Sequence, residues 1–273
     1  DYSAGGPVTS LANLARLLTD QPVKILTSAS YYDTGRQYDN MSLNEWTSYE
    51  NYDVWYASSN DSISRAIDSL KPGSVVYLNG IFSPRFFLHT LRRSKARNLD
   101  IVISPRGMLQ DGALKNKSLK KNVYLFWLKL LRFTKDVRWH ATDEQERGDI
   151  RKHFGRSLEV DVIPNIPRLP EASNIPIEKK PGSLKLVCFS LISRKKNIGF
   201  LIDLVASLNL PGITLDIIGP VKDKDYWAEC QAGIQRSNGA VTYLGDAHPS
   251  KVAEVLSQYH LFVLPTHGEN FGH

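Results

Sequence analysis

Residues 184–208 read LKLVCFSLISRKKNIGFLIDLVASL, and this stretch decides the fold. Leu184–Phe189 is an apolar run of strand length. From Ile198 to Leu208 apolar residues recur at helical spacing. Between them lies the polar turn Ser193-Arg194-Lys195-Lys196-Asn197. A strand apolar on both faces, followed at once by an amphipathic helix, belongs to a parallel sheet covered by helices. The same alternation runs outward in both directions. Upstream strand-like runs are Val23–Ser28, Val75–Leu78, Ile101–Ser104, Val137–His140 and Val160–Ile163, and downstream come Leu215–Ile218, Val241–Leu244 and Leu261–Leu264. Helical patterns separate them at Val8–Leu18, Ile63–Leu70, Phe87–Arg97, Leu119–Phe133, Glu144–Phe154, Tyr226–Arg236 and Lys251–Tyr259. The class is α/β.

A chain of 273 residues accommodates one large or two ordinary domains. Its 42% hydrophobic and 23% charged composition is that of a globular chain and excludes disorder or low complexity. No apolar run approaches the ~18–20 residues of a membrane span, and no signal peptide is visible. Two distant cysteines, Cys188 and Cys230, point to a reducing compartment, so a cytoplasmic protein is expected. The net charge of +6 suits scattered solvated lysine and arginine as well as a phosphate-bearing partner, and position has to decide.

The alternation breaks at 164–183, where Pro164, Pro167, Pro170, Pro176 and Pro181 stand among charged residues. Proline suits neither a helix interior nor a central strand, so this segment is read as a linker between domains 1–163 and 184–273. Two Rossmann-like domains facing each other across a cleft are the expected architecture. The first has no strand before its opening Gly-Gly turn, and the second stops at His273 as a strand-to-helix turn begins. A fragment, or a record of ordered residues, is expected.

In open α/β sheets ligands bind at the carboxyl ends of strands, which directs attention to the residues just after each run. Gly5-Gly6-Pro7 precedes a helix and reads equally as an anion-binding turn or an ordinary tight turn. Arg194, Lys195 and Lys196, between a strand and a helix start, suit a diphosphate that needs only charge neutralisation; the alternative is a solvated basic turn. Glu269-Asn270-Phe271-Gly272 offers a carboxylate for sugar hydroxyls and turn N–H groups for an oxyanion, or simply a helix cap. Arg106, in Pro105-Arg106-Gly107, places a guanidinium at a sheet mouth, for phosphate or hydroxyl contacts, or at the surface. His140 ends its strand and is a secondary candidate, since a lone histidine is more often structural. Leu119, Val123, Phe126, Leu130 and Phe133 form one face of a helix whose other side carries Lys117, Lys121, Arg132 and Lys135. Core packing is the favoured reading of that face, and contact with an anionic membrane the second. The Tyr-, Asn- and Ser-rich stretch Tyr31–Tyr56 is either a long loop around a short strand or a sugar-stacking platform.

No G-x-x-x-x-G-K-[ST], strand-borne G-x-G-x-x-G or G-x-S-x-G is present, and the seven histidines show no metal-ligand spacing with cysteine. These absences weigh against P-loop, dehydrogenase, α/β-hydrolase and zinc readings. A nucleic-acid partner is not expected.

Taken in order, Gly5-Gly6-Pro7-Val8, Ser104-Pro105-Arg106-Gly107-Met108, His140-Ala141-Thr142-Asp143-Glu144, Ile163-Pro164-Asn165, Ser190–Asn197, Gly219-Pro220, Pro265-Thr266 and Gly268-Glu269-Asn270-Phe271-Gly272-His273 resemble the family 4 retaining glycosyltransferases of polysaccharide biosynthesis. The resemblance covers nearly the whole chain. It implies the GT-B fold, with 1–163 as acceptor domain and 184–273 as a partial nucleotide-sugar-binding domain, lacking the fold's first strand and its C-terminal part. It implies transfer of a sugar from a nucleotide-diphosphate donor of the UDP type to a saccharide or lipid-linked acceptor, with retention and with no essential metal or other cofactor. Lys196 would neutralise the leaving diphosphate and Glu269 would contact donor hydroxyls. Asn270, Phe271 and Gly272 would line the donor site, and Gly5 and Gly6 would approach its phosphates. Arg106 stands where many relatives carry a histidine near the transferred sugar, and with Glu269 and Lys196 it makes up the expected catalytic set. Ser190-Leu191 replaces a usual Gly-Arg, with Arg194 as the substitute cation, and the second glutamate of the E-x7-E pattern is absent. A non-catalytic nucleotide- or sugar-binding protein on the same fold is the alternative.

Overall fold

The computed structural model describes residues 6–31, 35–115, 118–166, 177–247 and 251–268. By its contacts the chain divides between Arg168 and Leu169, inside the proline-rich segment. Each unit has its own apolar core.

The first unit opens with helix α1 (Gly6–Leu17) and strand β1 (Lys24–Ser28). A hairpin of β2 (Trp46–Tyr49) and β3 (Tyr52–Ala57) follows, and the three strands form a sheet of order β1-β3-β2, with β1 parallel and β2 antiparallel to β3. This corrects the expectation of a loop around a short strand at Tyr31–Tyr56. Asp53 hid the second strand, because a carboxylate mid-run argues against a buried strand. Its charge is answered from both neighbours, by Lys24 at 3.2 Å and by the Ser48 hydroxyl at 3.0 Å. The two tryptophans pack on one another: Trp46 meets Trp55 at 5.3 Å, and Trp55 is buried with its indole N–H donating to Ser62, whereas Tyr31 and Tyr49 are exposed.

Helix α2 (Asn60–Asp68), capped by the Ser59 hydroxyl, leads to a four-stranded parallel sheet. Its strands β4 (Val75–Asn79), β5 (Asp100–Ser104), β6 (Arg138–Ala141) and β7 (Asp161–Val162) lie in sequence order. A π-helical turn, Pro84–His89, runs into α3 (Thr90–Ala96). Helices α4 (Asp111–Lys115), α5 (Ser118–Leu130) and α6 (Glu144–Phe154) complete the unit. Ile63, Phe87, Ile103, Leu128, Trp139 and Ile150 are almost wholly buried in one core shared by β3, the parallel sheet and its helices. Each such side chain contributes on the order of 1.5–3 kcal/mol.

The second unit alternates strictly: β8 (Leu184–Phe189), α7 (Ile198–Leu208), β9 (Ile213–Ile218), α8 (Lys224–Arg236), β10 (Val241–Tyr243), α9 (Val252–Leu256) and β11 (Leu261–Phe262). All four strands are parallel, in the order β10-β9-β8-β11. The chain therefore builds outward from β8 to β10 and then returns to β8's other side with β11. That reversal is the topological switch point of a doubly wound sheet, where such folds bind ligands.

Candidate functional site

At the switch point the loops after β8 and β11 are fastened together. Past Phe189, the loop after β8 is pinned to the loop after β9: the N–H of Ser190 donates to Ile218, and that of Ile192 to Pro220. Ile192 is fully buried beneath it. The approach leaves no room for a side chain at Gly219, where a Cβ would stand 2.0 Å from the Ser190 carbonyl oxygen. Gly219 has φ 139, which glycine alone adopts readily. Arg194, Lys195 and Lys196 then form one 3-10 turn, closed by Asn197 in a left-handed conformation before α7 begins.

The Lys195 carbonyl accepts the N–H of His267 at 2.9 Å and the Thr266 hydroxyl at 3.0 Å. The turn bearing Lys196 and the segment leading into Glu269 are thus joined by hydrogen bonds. Lys196 is half-buried close to Cys188, whose thiol is pushed up by burial. Arg194 points elsewhere. Its guanidinium makes a two-pronged pair with Glu229 of α8 and lies over the Tyr226 ring, and Glu229 raises its pKa further. Gly5, Glu269, Asn270, Phe271 and Gly272 lie outside the described residues, and Gly6 is the first residue of α1.

In the first unit the strand ends converge on Arg106. It follows β5 with φ 57 and is only 9% exposed. Its Nε donates to Asn79 Oδ1 at 2.7 Å, Nη2 donates to the Tyr77 hydroxyl at 3.0 Å, and Nη1 donates to Asn165 Oδ1. These partners sit on β4 and just beyond β7. The Tyr77 hydroxyl is also 2.6 Å from His140 Nδ1, and His140 Nε2 lies 2.8 Å from the Ile163 carbonyl. Because a carbonyl only accepts, Nε2 carries the proton, and Nδ1 accepts from the tyrosine hydroxyl. Burial raises the Tyr77 pKa, against the opposing pull of Arg106. Both sequence candidates of this unit, Arg106 and His140, therefore belong to one network.

A residue the sequence reasoning passed over supports that network. Glu146 is fully buried in the first turn of α6 and accepts the N–H of Gly107 at 2.6 Å. It also accepts the N–H and hydroxyl of Thr142 at 2.7 and 2.6 Å. The carboxylate thus holds the backbone beside Arg106. Its signal was the capping spacing Asp143-x-x-Glu146, whose N-cap is present: Asp143 Oδ1 accepts the Glu146 N–H at 2.7 Å. Tyr77 carried no signal, being one aromatic residue within a strand. Among the described residues, no group of three or more His, Cys, Asp or Glu side chains is placed to hold a metal ion.

The helix at 119–133 departs from expectation. Leu119, Val123, Phe126 and Leu130 face solvent, together with Trp127 and Leu131, whereas Leu125 and Leu128 fill the core. The stripe favoured as core is therefore the outward face. Helix α5 is apolar on two sides, and the side chosen for packing is the one carrying Leu125 and Leu128. Of the stripe's members, Phe133, beyond the helix end, does pack against the core.

Residues 171–273 match the family model described as Glycosyl transferases group 1. No curated protein matches the chain at a significant level. Among solved structures, Anabaena HepE in complex with UDP and glucose is similar at a TM-score of 0.67, with 14% identity, covering 98% of this chain and 73% of that one. The OtsA apo structure is similar at a TM-score of 0.58, with 11% identity and coverage of 98% and 76%. The lipopolysaccharide outer core galactosyltransferase WaaB in apo form is similar at a TM-score of 0.56, with 13% identity and coverage of 92% and 76%. The fold is that of the GT-B glycosyltransferases, here in part.

Proposed function

We propose that the protein transfers a sugar from a nucleotide-diphosphate donor of the UDP type to a saccharide or lipid-linked acceptor, with retention at the anomeric carbon. The observation that carries this reading is the Lys195 carbonyl joining the loop after β8 to the loop after β11 at the switch point, which brings the Lys196 turn to the segment preceding Glu269. The group 1 match over 171–273 and the UDP-bound relative support it. In this reading Lys196 neutralises charge on the departing diphosphate, and loss of one such contact costs on the order of 3 kcal/mol of transition-state stabilisation. Glu269 accepts hydrogen bonds from donor hydroxyls. Asn270, Phe271, Gly272, Gly5 and Gly6 are the further donor-binding residues of this reading. Arg194, held by Glu229, is the weaker donor contact. Arg106 acts as a positioning residue, since three of its N–H groups already hold strand ends. The site needs no metal. Residues 184–273 serve the donor and 1–163 the acceptor.

A thermal-shift panel of UDP, GDP, ADP and CMP tests this. Ligand at one hundred times its Kd stabilises by about 2.7 kcal/mol, which is readily seen. The expected result is a shift with UDP that is lost in Lys196→Ala and reduced in Glu269→Ala. No shift with any nucleotide would overturn the reading. The second reading, binding without turnover, is favoured by Leu191 standing where relatives carry arginine. Release of free sugar from a UDP-sugar that binds would exclude it.

A further inference from the structure

Helix α5 presents an apolar face to solvent in a setting that says what covers it. Leu119, Phe126 and Leu130 are 77%, 60% and 56% exposed, with Val123, Trp127 and Leu131 about half exposed beside them. Soluble surfaces scatter such residues singly, and a contiguous run marks an interaction site. The opposite side of the helix is satisfied already: Leu125 and Leu128 are buried, the Tyr124 hydroxyl donates to the Ile81 carbonyl at 2.9 Å, and Lys121 turns inward to the Ala113 carbonyl. Among the described residues the outward face is left to solvent.

Charge selects the partner. Every charged residue between Asp111 and Asp136 is a lysine or arginine. At 3.6 residues per turn, Lys120 and Lys129 project on opposite flanks of the Leu119–Phe126–Leu130 stripe, and both are exposed. Cations bordering an apolar stripe let the stripe sink to the acyl boundary while the ammonium groups reach lipid phosphates. A protein partner with an apolar groove would gain nothing from that uninterrupted positive charge unless it were strongly acidic. The helix has 13 residues, about 20 Å of rise, too short for a ~30 Å hydrocarbon core. Among the described residues no helix is long and apolar enough to cross a membrane. We infer that α5 is an interfacial helix that docks this protein on an anionic lipid bilayer, its axis parallel to the surface. The inference rests on α5 and stands apart from the sugar-transfer reading.

Sedimentation with vesicles tests it, using phosphatidylcholine mixed with phosphatidylglycerol against phosphatidylcholine alone. Binding is expected on the mixed vesicles, weakening as salt is raised. The double substitution Lys120→Gln/Lys129→Gln lowers the apparent affinity about 25-fold, at about fivefold per cation. Phe126→Ser and Trp127→Ser each lower it about tenfold or more. All these side chains are exposed, so an unchanged melting temperature verifies folding. Binding that is absent, or equal on neutral vesicles, overturns the proposal. So does a concentration-dependent dimer in light scattering that Phe126→Ser abolishes, which would make the face an interface between copies.

Discussion

Arg106 holds a conformation, φ 57, that costs a non-glycine residue on the order of 1–2 kcal/mol, and the cost is offset by what its guanidinium reaches. Three acceptors in three directions fit a rigid planar fork and do not fit an ammonium. Arg106→Lys is accordingly expected to lose about 2–3 kcal/mol, read as a lower urea midpoint of the first unit's own step at unchanged slope. Glu146→Ala leaves the Gly107 and Thr142 donors without an acceptor in a fully buried place. It is expected to cost about 3–5 kcal/mol, with Glu146→Gln in between because its amide can satisfy only part of the set. His153 gives a pH dependence. Burial, then Lys152, holds its pKa below the ordinary histidine range, and among the described residues Nε2 has no hydrogen-bond partner. The unfolded chain then takes up this proton at higher pH than the folded one does. The stability contribution is complete above about pH 6.5 and declines as pH falls from there to the lower folded value. Melting temperatures measured from pH 8 to pH 5 should fall less steeply in His153→Gln than in the unaltered protein.

At the scale of elements, periodicity and burial agree wherever one face of an element is polar. Leu184–Phe189 and Glu144–Phe154 begin and end where the sequence pattern does. Disagreement arises where a pattern is ambiguous in principle. Helix α5 carries apolar residues on two sides, and spacing cannot say which one meets the sheet. Strand β3 contains Asp53, whose partners Lys24 and Ser48 come from other strands and cannot be known before the sheet is assembled. The candidate site follows the same division. Strand-end residues such as Lys196, Arg106 and His140 are legible because doubly wound sheets put ligands there, while Tyr77 and Glu146 become visible only when loops distant in sequence meet. The β8–β9 pair yields a prediction of its own. Gly219→Ala drives a methyl onto the Ser190 carbonyl and is expected to cost about 3 kcal/mol or more. If UDP binds as proposed, its thermal shift should disappear together with the loop geometry.

For the molecule as a whole, two units with separate cores predict separate unfolding. A single two-state transition is not expected of such a chain. Four tryptophans, Trp46, Trp55, Trp127 and Trp139, belong to the first unit, and Trp227 belongs to the second, packed 4.4 Å from Tyr243. Urea titration followed by tryptophan emission should show two steps, one of which loses its signal in Trp227→Phe. A ligand held by the second unit should move that step to higher urea and leave the other in place.

The seam between β8 and β9 is closed by glycine at both ends. Gly212 and Gly219 each stand where a Cβ would lie 2.0 Å from a carbonyl oxygen of the neighbouring segment, Gly182 or Ser190. A slip of β9 by one residue would bring a side chain onto both oxygens, so the pair has one register. Over generations of descent this leaves a particular trace. Both codons would drift least while the surface around them changed freely, and a reader of that record would take for chemistry what is in fact carpentry.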